Sequence, residues 1–311
     1  MLKLKFIHPR YWLTWLGLML LWLLAQLPYS WQMAMGKSIG LLAYKGLKRR
    51  RFISCVNLEW CFPEKDILER RQLNREHFIS LGQGLIETAM SWWTAEKRLQ
   101  SLSHIEGLEH LERALQKKQG VILLSAHFTS LELGGRLLAM HLPLHVVYRP
   151  HQNPLIEHVV ASIRAKRYGK TIAREQVREI FRSLSKGQAV WYAMDQNFGH
   201  KNSVFVPFFS IPAATNTATS RFARLSKAQV VPFFTVRLNN QQGYLLRMLP
   251  AFEHFPSNAV TRDAEKINRI IEDQVRLFPE QYLWTHRRFK DRPEDKKDRY
   301  QLYQQNKGNK G

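Results

Sequence analysis

A chain of 311 residues, 45% of them hydrophobic, is long enough to bury one large α/β core and too apolar to be disordered. Its 47 Lys and Arg outnumber 25 Asp and Glu, a formal net charge of +22, so its partners are anionic: nucleic acid, an acidic membrane surface, or acidic proteins and ligands. The only two cysteines, Cys55 and Cys61, lack a partner set at zinc-ligand spacing and are too few for a disulfide framework in a chain this size, so they read as two packed thiols.

Residues 11–27 carry no charge and are mostly Leu and Trp. Seventeen residues is the short end of a membrane-spanning helix, which needs about 17–25. Tyr11, Trp12, Trp15, Trp22, Tyr29 and Trp31 place aromatic rings toward both ends of the run, where headgroups would lie. The run predicts a transmembrane anchor over residues 1–29. It does not fit a cleaved signal peptide, because 25–28 is a poor small-residue cleavage site. Residues 1–58 hold nine Lys or Arg and no acid. Lys45, Lys48, Arg49, Arg50 and Arg51 follow the apolar run, a pattern that keeps the next domain cytoplasmic and attracts anionic lipids.

An amphipathic helix is expected over 30–51, near the membrane surface. Phe78, Leu81, Leu85, Ala89 and Trp92 recur at helical spacing and predict one long helix over 68–93. Beyond Gly120 the pattern alternates. Short apolar runs at 120–126, 144–148, 189–194, 229–237 and 244–248 read as strands. Stretches 131–140, 156–167, 174–185 and 262–278 read as helices, another ends at 222–226, and 283–285 reads as a last short strand. The fold class is therefore α/β, with a central, largely parallel or mixed sheet flanked by helices. A catalytic domain over 30–290 follows the anchor, and 291–311 is a polar tail.

His127 follows the first clear buried strand, where sheets of this class gather ligands. Glu132 lies five residues on. Inside one helix the two would point about 140° apart, but a loop at His127 leading into a helix at Glu132 would let the carboxylate fix the imidazole tautomer. The same stretch, Thr129-Ser130-Leu131-Glu132, also fits a capping box in which Glu132 only satisfies the helix start. There is no Gly-x-Ser-x-Gly elbow and no phosphate-cradling glycine loop. His141 and His145 are separated by Pro143, which makes a poor helical metal pair. Neither a metal nor an organic cofactor is called for.

Around these residues the sequence resembles the late acyltransferases of lipid A synthesis, the lauroyl and myristoyl transferases, within the broader glycerolipid acyltransferase superfamily. That superfamily's signature is His, four residues, then Asp or Glu, here His127-Phe-Thr-Ser-Leu-Glu132 followed by Leu-Gly-Gly-Arg136. The likeness continues through Val147-Tyr-Arg-Pro150, Asn153-Pro154-Leu155, Arg164, Asp195-Gln196 and Val204-Phe-Val-Pro-Phe-Phe209. It recurs in Ala213-Ala-Thr215, Val230-Val-Pro-Phe-Phe234 and Trp284-Thr-His-Arg-Arg-Phe-Lys290, and Asn57-Leu58 with Cys61-Phe-Pro63 also match. One departure is Asn197, where members often carry Asp.

The resemblance implies a bacterial inner-membrane enzyme with its catalytic domain on the cytoplasmic face. Its donor would be an acyl carrier protein thioester and its acceptor a lipid A precursor bearing 3-hydroxyacyl chains. His127 would be the general base, oriented by Glu132, with no acyl-enzyme. Arg164, then Arg149, would donate to the oxyanion or grip the acceptor's phosphate. Asp195 would position a cation or a sugar hydroxyl, or simply start a turn. The rivals are an acyltransferase acting on a glycerophospholipid or another glycolipid and, more distantly, a membrane-tethered nucleic-acid binder. The latter leaves His127 and Glu132 unexplained, so no nucleic acid is expected as a partner.

Overall fold

A computed structural model of the protein describes residues 4–293, 298, 300 and 301. Two short 3-10 turns lead into helix α1 (Trp12–Gln26). It stops there because Leu27 precedes Pro28, whose ring pushes the preceding residue to extended backbone; Leu27 sits at φ −63°, ψ 159°. Fifteen residues rise about 22 Å, short of the roughly 30 Å hydrocarbon core. The expected transmembrane helix is therefore not formed, and among the described residues no helix is long and apolar enough to cross a membrane. Instead α1 packs on the protein: Leu18 joins a cluster with Phe6, Tyr11, Trp92, Leu155 and Val160.

In place of one helix over 30–51 the chain forms α2 (Tyr29–Gly46) and α3 (Lys48–Cys61), broken at Leu47. The long helix is present as α4 (Ile67–Trp93), opened by a capping box between Asp66 and Glu69. Rather than lying flat, α2 crosses α4 at backbone contact. A Cβ on Gly82 would stand 2.1 Å from the Gly36 carbonyl oxygen, so only glycines fit this crossing.

After the short helix α5 (Glu96–Gln100) the α/β part begins. Its strands are β1 (Ser103–Glu106), β2 (Val121–Ser125), β3 (Leu144–Tyr148), β4 (Lys170–Ala173), β5 (Ala189–Ala193), β8 (Gln229–Arg237) and β9 (Tyr244–Met248), with a separate hairpin of β6 (Ser203–Phe208) and β7 (Ile211–Asn216). Between them run α6 (Leu108–Gln116), α7 (Leu131–Leu138), α8 (Pro154–Arg167), α9 (Val177–Ser185) and α10 (Ala218–Ser226), and α11 (Val260–Leu277) follows β9. The seven-stranded sheet has the order β1-β9-β8-β2-β5-β3-β4. It is mixed: β9 is antiparallel to β8 and parallel to β1, and the other pairings are parallel. Buried clusters cover both faces, one with Leu124, Val190, Phe234 and Ile271, the other with Leu123, Leu137, Trp191 and Phe233.

Segment 283–285 forms no strand; Tyr282 makes one isolated bridge to Phe128, and Leu283 N donates to His127 O at 3.0 Å. Most of the expected polar tail at 291–311 lies outside the described residues. Within it, Tyr300 is buried and its hydroxyl donates to Asn57 Oδ1 at 2.5 Å.

Candidate active site

Adjacent parallel strands β2 and β5 run in register, Ser125 beside Ala193. Two residues past each partner come His127 and Asp195, so the sheet delivers them to the same height at its carboxyl edge. Met194 N still donates to Ser125 O at 3.2 Å, carrying the pairing one step beyond the strands. Asp195 is buried, and its carboxylate takes two bonds from one residue: His127 Nδ1 at 2.6 Å and His127 backbone N at 3.0 Å. The loop is also tied from behind. Thr129 N donates to Gln281 O at 2.8 Å, and the Thr129 and Ser80 hydroxyls are 2.7 Å apart.

Burial alone would lower the His127 pKa, but the Asp195 charge and hydrogen bond outweigh it and hold the imidazole above its ordinary value. Burial would raise Asp195; the facing histidine and two donated bonds reverse that and bring it to about 2. Asp195 is thus a carboxylate that fixes the Nδ1–H tautomer and favours the imidazolium. The His127 side chain, 27% exposed, lines a cleft of about 400 Å³, toward which Nε2 is the available nitrogen.

Glu132 does not orient His127. In the first turn of α7 it faces α8 and α4, where Arg164 clamps it: Nε to Oε1 at 3.1 Å, Nη2 to Oε1 at 3.0 Å and Nη2 to Oε2 at 2.8 Å. The Trp92 indole N–H approaches Oε1 at 3.5 Å. The expected His127–Glu132 pair is corrected to His127–Asp195, because strand register brings Asp195 alongside while the start of α7 carries Glu132 away. The capping box is not formed either; Ser130 caps nothing and its hydroxyl donates to Thr235 O at 2.8 Å.

Arg164 is buried, yet its Nη1 has no hydrogen-bond partner among the described residues, and its guanidinium lies 5.1 Å from the Tyr148 ring centroid. Glu132 and Arg164 both line the cleft, as do Arg149 and Arg174, which are exposed. Four of the five residues singled out from sequence therefore reach one cleft and the fifth, Asp195, stands behind the histidine. Sequence reasoning missed Arg174 and the role of the 282–288 segment. There the Tyr282 phenol is pushed up by burial and by the Asp195 charge, and His286 is lowered by burial to about 4. Neutral His286 accepts Asn197 N at 3.0 Å through Nε2, and Asn197 Nδ2 donates to Asp291 Oδ2 at 2.6 Å. The motif around Trp284 was the available signal for this support.

A larger hollow of about 800 Å³, lined by Lys37, Gln83, Arg237 and Asn240, holds no histidine. Its Arg237 is spent on a buried ion pair with Glu87. Among the described residues no cluster of His, Cys, Asp and Glu has metal-binding geometry. The smaller cleft therefore brings together what general-base chemistry requires: a polarised imidazole, a buried carboxylate behind it and cations around it.

Comparison with known proteins agrees in length and kind. The profile of the family described as bacterial lipid A biosynthesis acyltransferase matches residues 2–291. The chain is 43% identical over 290 residues to the lipid A biosynthesis palmitoleoyltransferase of Escherichia coli K12, covering 93% of this chain and 94% of that one. It is 42% identical over 295 residues to the lauroyltransferase of the same organism, covering 94% and 96%. To that organism's myristoyltransferase it is 26% identical over 310 residues, covering 96% and 95%.

Proposed function

The chain belongs to the bacterial lipid A biosynthesis acyltransferase family, and from that premise we propose that it moves a fatty acyl chain from an acyl carrier protein thioester to the hydroxyl of a 3-hydroxyacyl chain on a lipid A precursor. His127 Nε2 takes the hydroxyl proton as the oxygen attacks the thioester carbonyl. Asp195 keeps the other nitrogen protonated and offsets the charge of the imidazolium that forms. The tetrahedral intermediate collapses by expelling the carrier thiolate, which recovers the proton from His127. One ester bond forms, one thioester bond breaks, and no acyl-enzyme intervenes. General-base assistance of this kind contributes about 10²–10⁴-fold.

Glu132 holds Arg164 in a fixed pose beside the cleft, where the guanidinium steadies developing negative charge on the carbonyl oxygen. Arg149, exposed at the rim, suits a phosphate of the acceptor. The observation that carries this reading is the 2.6 Å bond between His127 and buried Asp195 at the wall of the cleft.

The working location is the cytoplasmic face of the bacterial inner membrane, with α1 lying in one leaflet. Leu13, Leu16, Leu20 and Leu23 are exposed at three- and four-residue spacing, and Leu13 is 84% exposed, an apolar stripe that lipid would cover. Exposed Lys45 in the last turn of α2 and exposed Lys48 and Arg49 at the start of α3 favour anionic headgroups.

The test is mass spectrometry of a lipid A precursor incubated with detergent-purified protein and carrier thioesters of several chain lengths. The expected result is a gain of one or two acyl masses that is abolished by His127→Ala. No gain from folded wild-type protein would move the acceptor to another lipid, and full gain in the variant would remove His127 from the chemistry.

A further inference from the structure

Helices α9 and α10 leave an apolar groove between them, about 500 Å³ in volume. Its floor is buried Phe222, and its walls are Val177, Phe181 and Leu225, 45%, 36% and 63% exposed. Arginines line it as well: Arg178 and Arg182 on α9 and Arg221 on α10, all exposed. Arg182 is shared with Glu179, but Arg178 and Arg221 take part in no ion pair among the described residues. Unpaired guanidinium groups along an apolar trough complement an amphipathic helix with a few apolar side chains on an acidic face.

The groove also adjoins the cleft. Phe222 on its floor contacts Tyr192, ring centroids 6.5 Å apart, and Tyr192 lines the cleft that holds His127. Arg221 lies close enough to Tyr192 to pull its phenol pKa down against the larger effect of burial. Arg174 stands on the cleft side just before α9 begins. A partner seated in the groove would therefore meet the reaction site across one shared wall.

The geometry points to the α9–α10 groove as the docking surface for the acyl-donor carrier, an acidic protein that lays a helix in the trough and feeds its thioester past Tyr192 to His127. This rests on the carrier-thioester donor proposed above. The apolar side chains set the register of the docked helix, and Arg178, Arg182 and Arg221 steer it, so the groove governs donor association and leaves the chemical step alone.

The experiment compares wild type with Arg178→Glu and Leu225→Asp, two exposed changes away from the cleft, using one acyl chain presented on acyl carrier protein and on coenzyme A. The expected result is a KM for the carrier thioester raised about tenfold, with kcat and the coenzyme A kinetics unchanged. A rise of at least threefold confined to the carrier donor supports the groove; a smaller rise, or an equal loss with both donors, overturns it. If wild type uses coenzyme A thioester and rejects the carrier, the donor assignment itself fails and the groove falls with it. If the variants keep carrier kinetics but lose affinity for anionic vesicles, the groove is a lipid contact and the docking proposal is refuted.

Discussion

Replacing Glu132 with Gln separates the two acid-bearing pairs of the site. The change keeps the shape and removes the charge that Arg164 binds through three contacts of 2.8–3.1 Å. Breaking a fully buried ion pair costs about 3–5 kcal/mol, but the Glu132 side chain is 23% exposed and Arg164 10%, so water repays part of it. The expected loss is about 2 kcal/mol, which at about 2.1 cal/mol/K of unfolding entropy per residue lowers the Tm of a 311-residue chain by about 3 °C. If Arg164 stabilises the oxyanion as proposed, loosening it is also expected to lower kcat about 10²-fold. The pH profile behaves differently. In the proposed mechanism His127 serves as a base only when neutral, and Asp195 holds its pKa above the ordinary imidazole value, so kcat/KM is expected to fall as pH drops through that raised value. Glu132→Gln leaves that limb in place, because Glu132 does not touch the imidazole. Calorimetry and a pH–rate series read both effects. An acid limb displaced downward by a full unit in Glu132→Gln would refute the reasoning, since it would make Glu132 the charge that His127 feels.

Gly82→Ala pushes a methyl into the α2–α4 crossing, 2.1 Å from the Gly36 oxygen and 2.4 Å from the Gly40 nitrogen. Parting two helix backbones costs about 1–3 kcal/mol, read by urea titration, and a midpoint matching wild type would show that the helices sit further apart. Leu13→Asp with Leu20→Asp removes two side chains from the exposed stripe of α1 and is expected to weaken sedimentation with anionic vesicles at least tenfold, because each leucine contributes about 1.5–3 kcal/mol on burial. Unchanged sedimentation would mean that α1 does not face lipid.

The core of the sheet was legible in sequence because its strands are continuous apolar runs: β3, β8 and β9 lie where Leu144–Tyr148, Gln229–Arg237 and Tyr244–Met248 pointed. The edge strands β1 and β4 were not, since Ser103–Glu106 and Lys170–Ala173 are short and polar, with little apolar signal to read. In the β6–β7 hairpin Pro207 and Pro212 interrupt the strand pattern. The charge-free run at 11–27 suggested a span, but Pro28 ends the helix before it is long enough. At the site, the five residues singled out from sequence lie in or against one cleft, but the hydrogen-bond partner of His127 is Asp195 and not Glu132. A spacing of five along the chain drew attention to Glu132, whereas the decisive neighbour lies 68 positions away and depends on β2 lying beside β5. Strand order and register are long-range facts that no local motif carries.

The measurement that bears most directly on the central claim is kcat/KM against pH for Asp195→Asn, with folding checked by thermal melting. An amide there cannot both accept from the His127 backbone N–H and hold Nδ1–H with a full charge. The account predicts a loss of about 10³–10⁴-fold, with the acid limb moved below its wild-type position because the charge raising the imidazole pKa is gone. A folded Asp195→Asn protein within tenfold of wild type, with its acid limb unmoved, would contradict it.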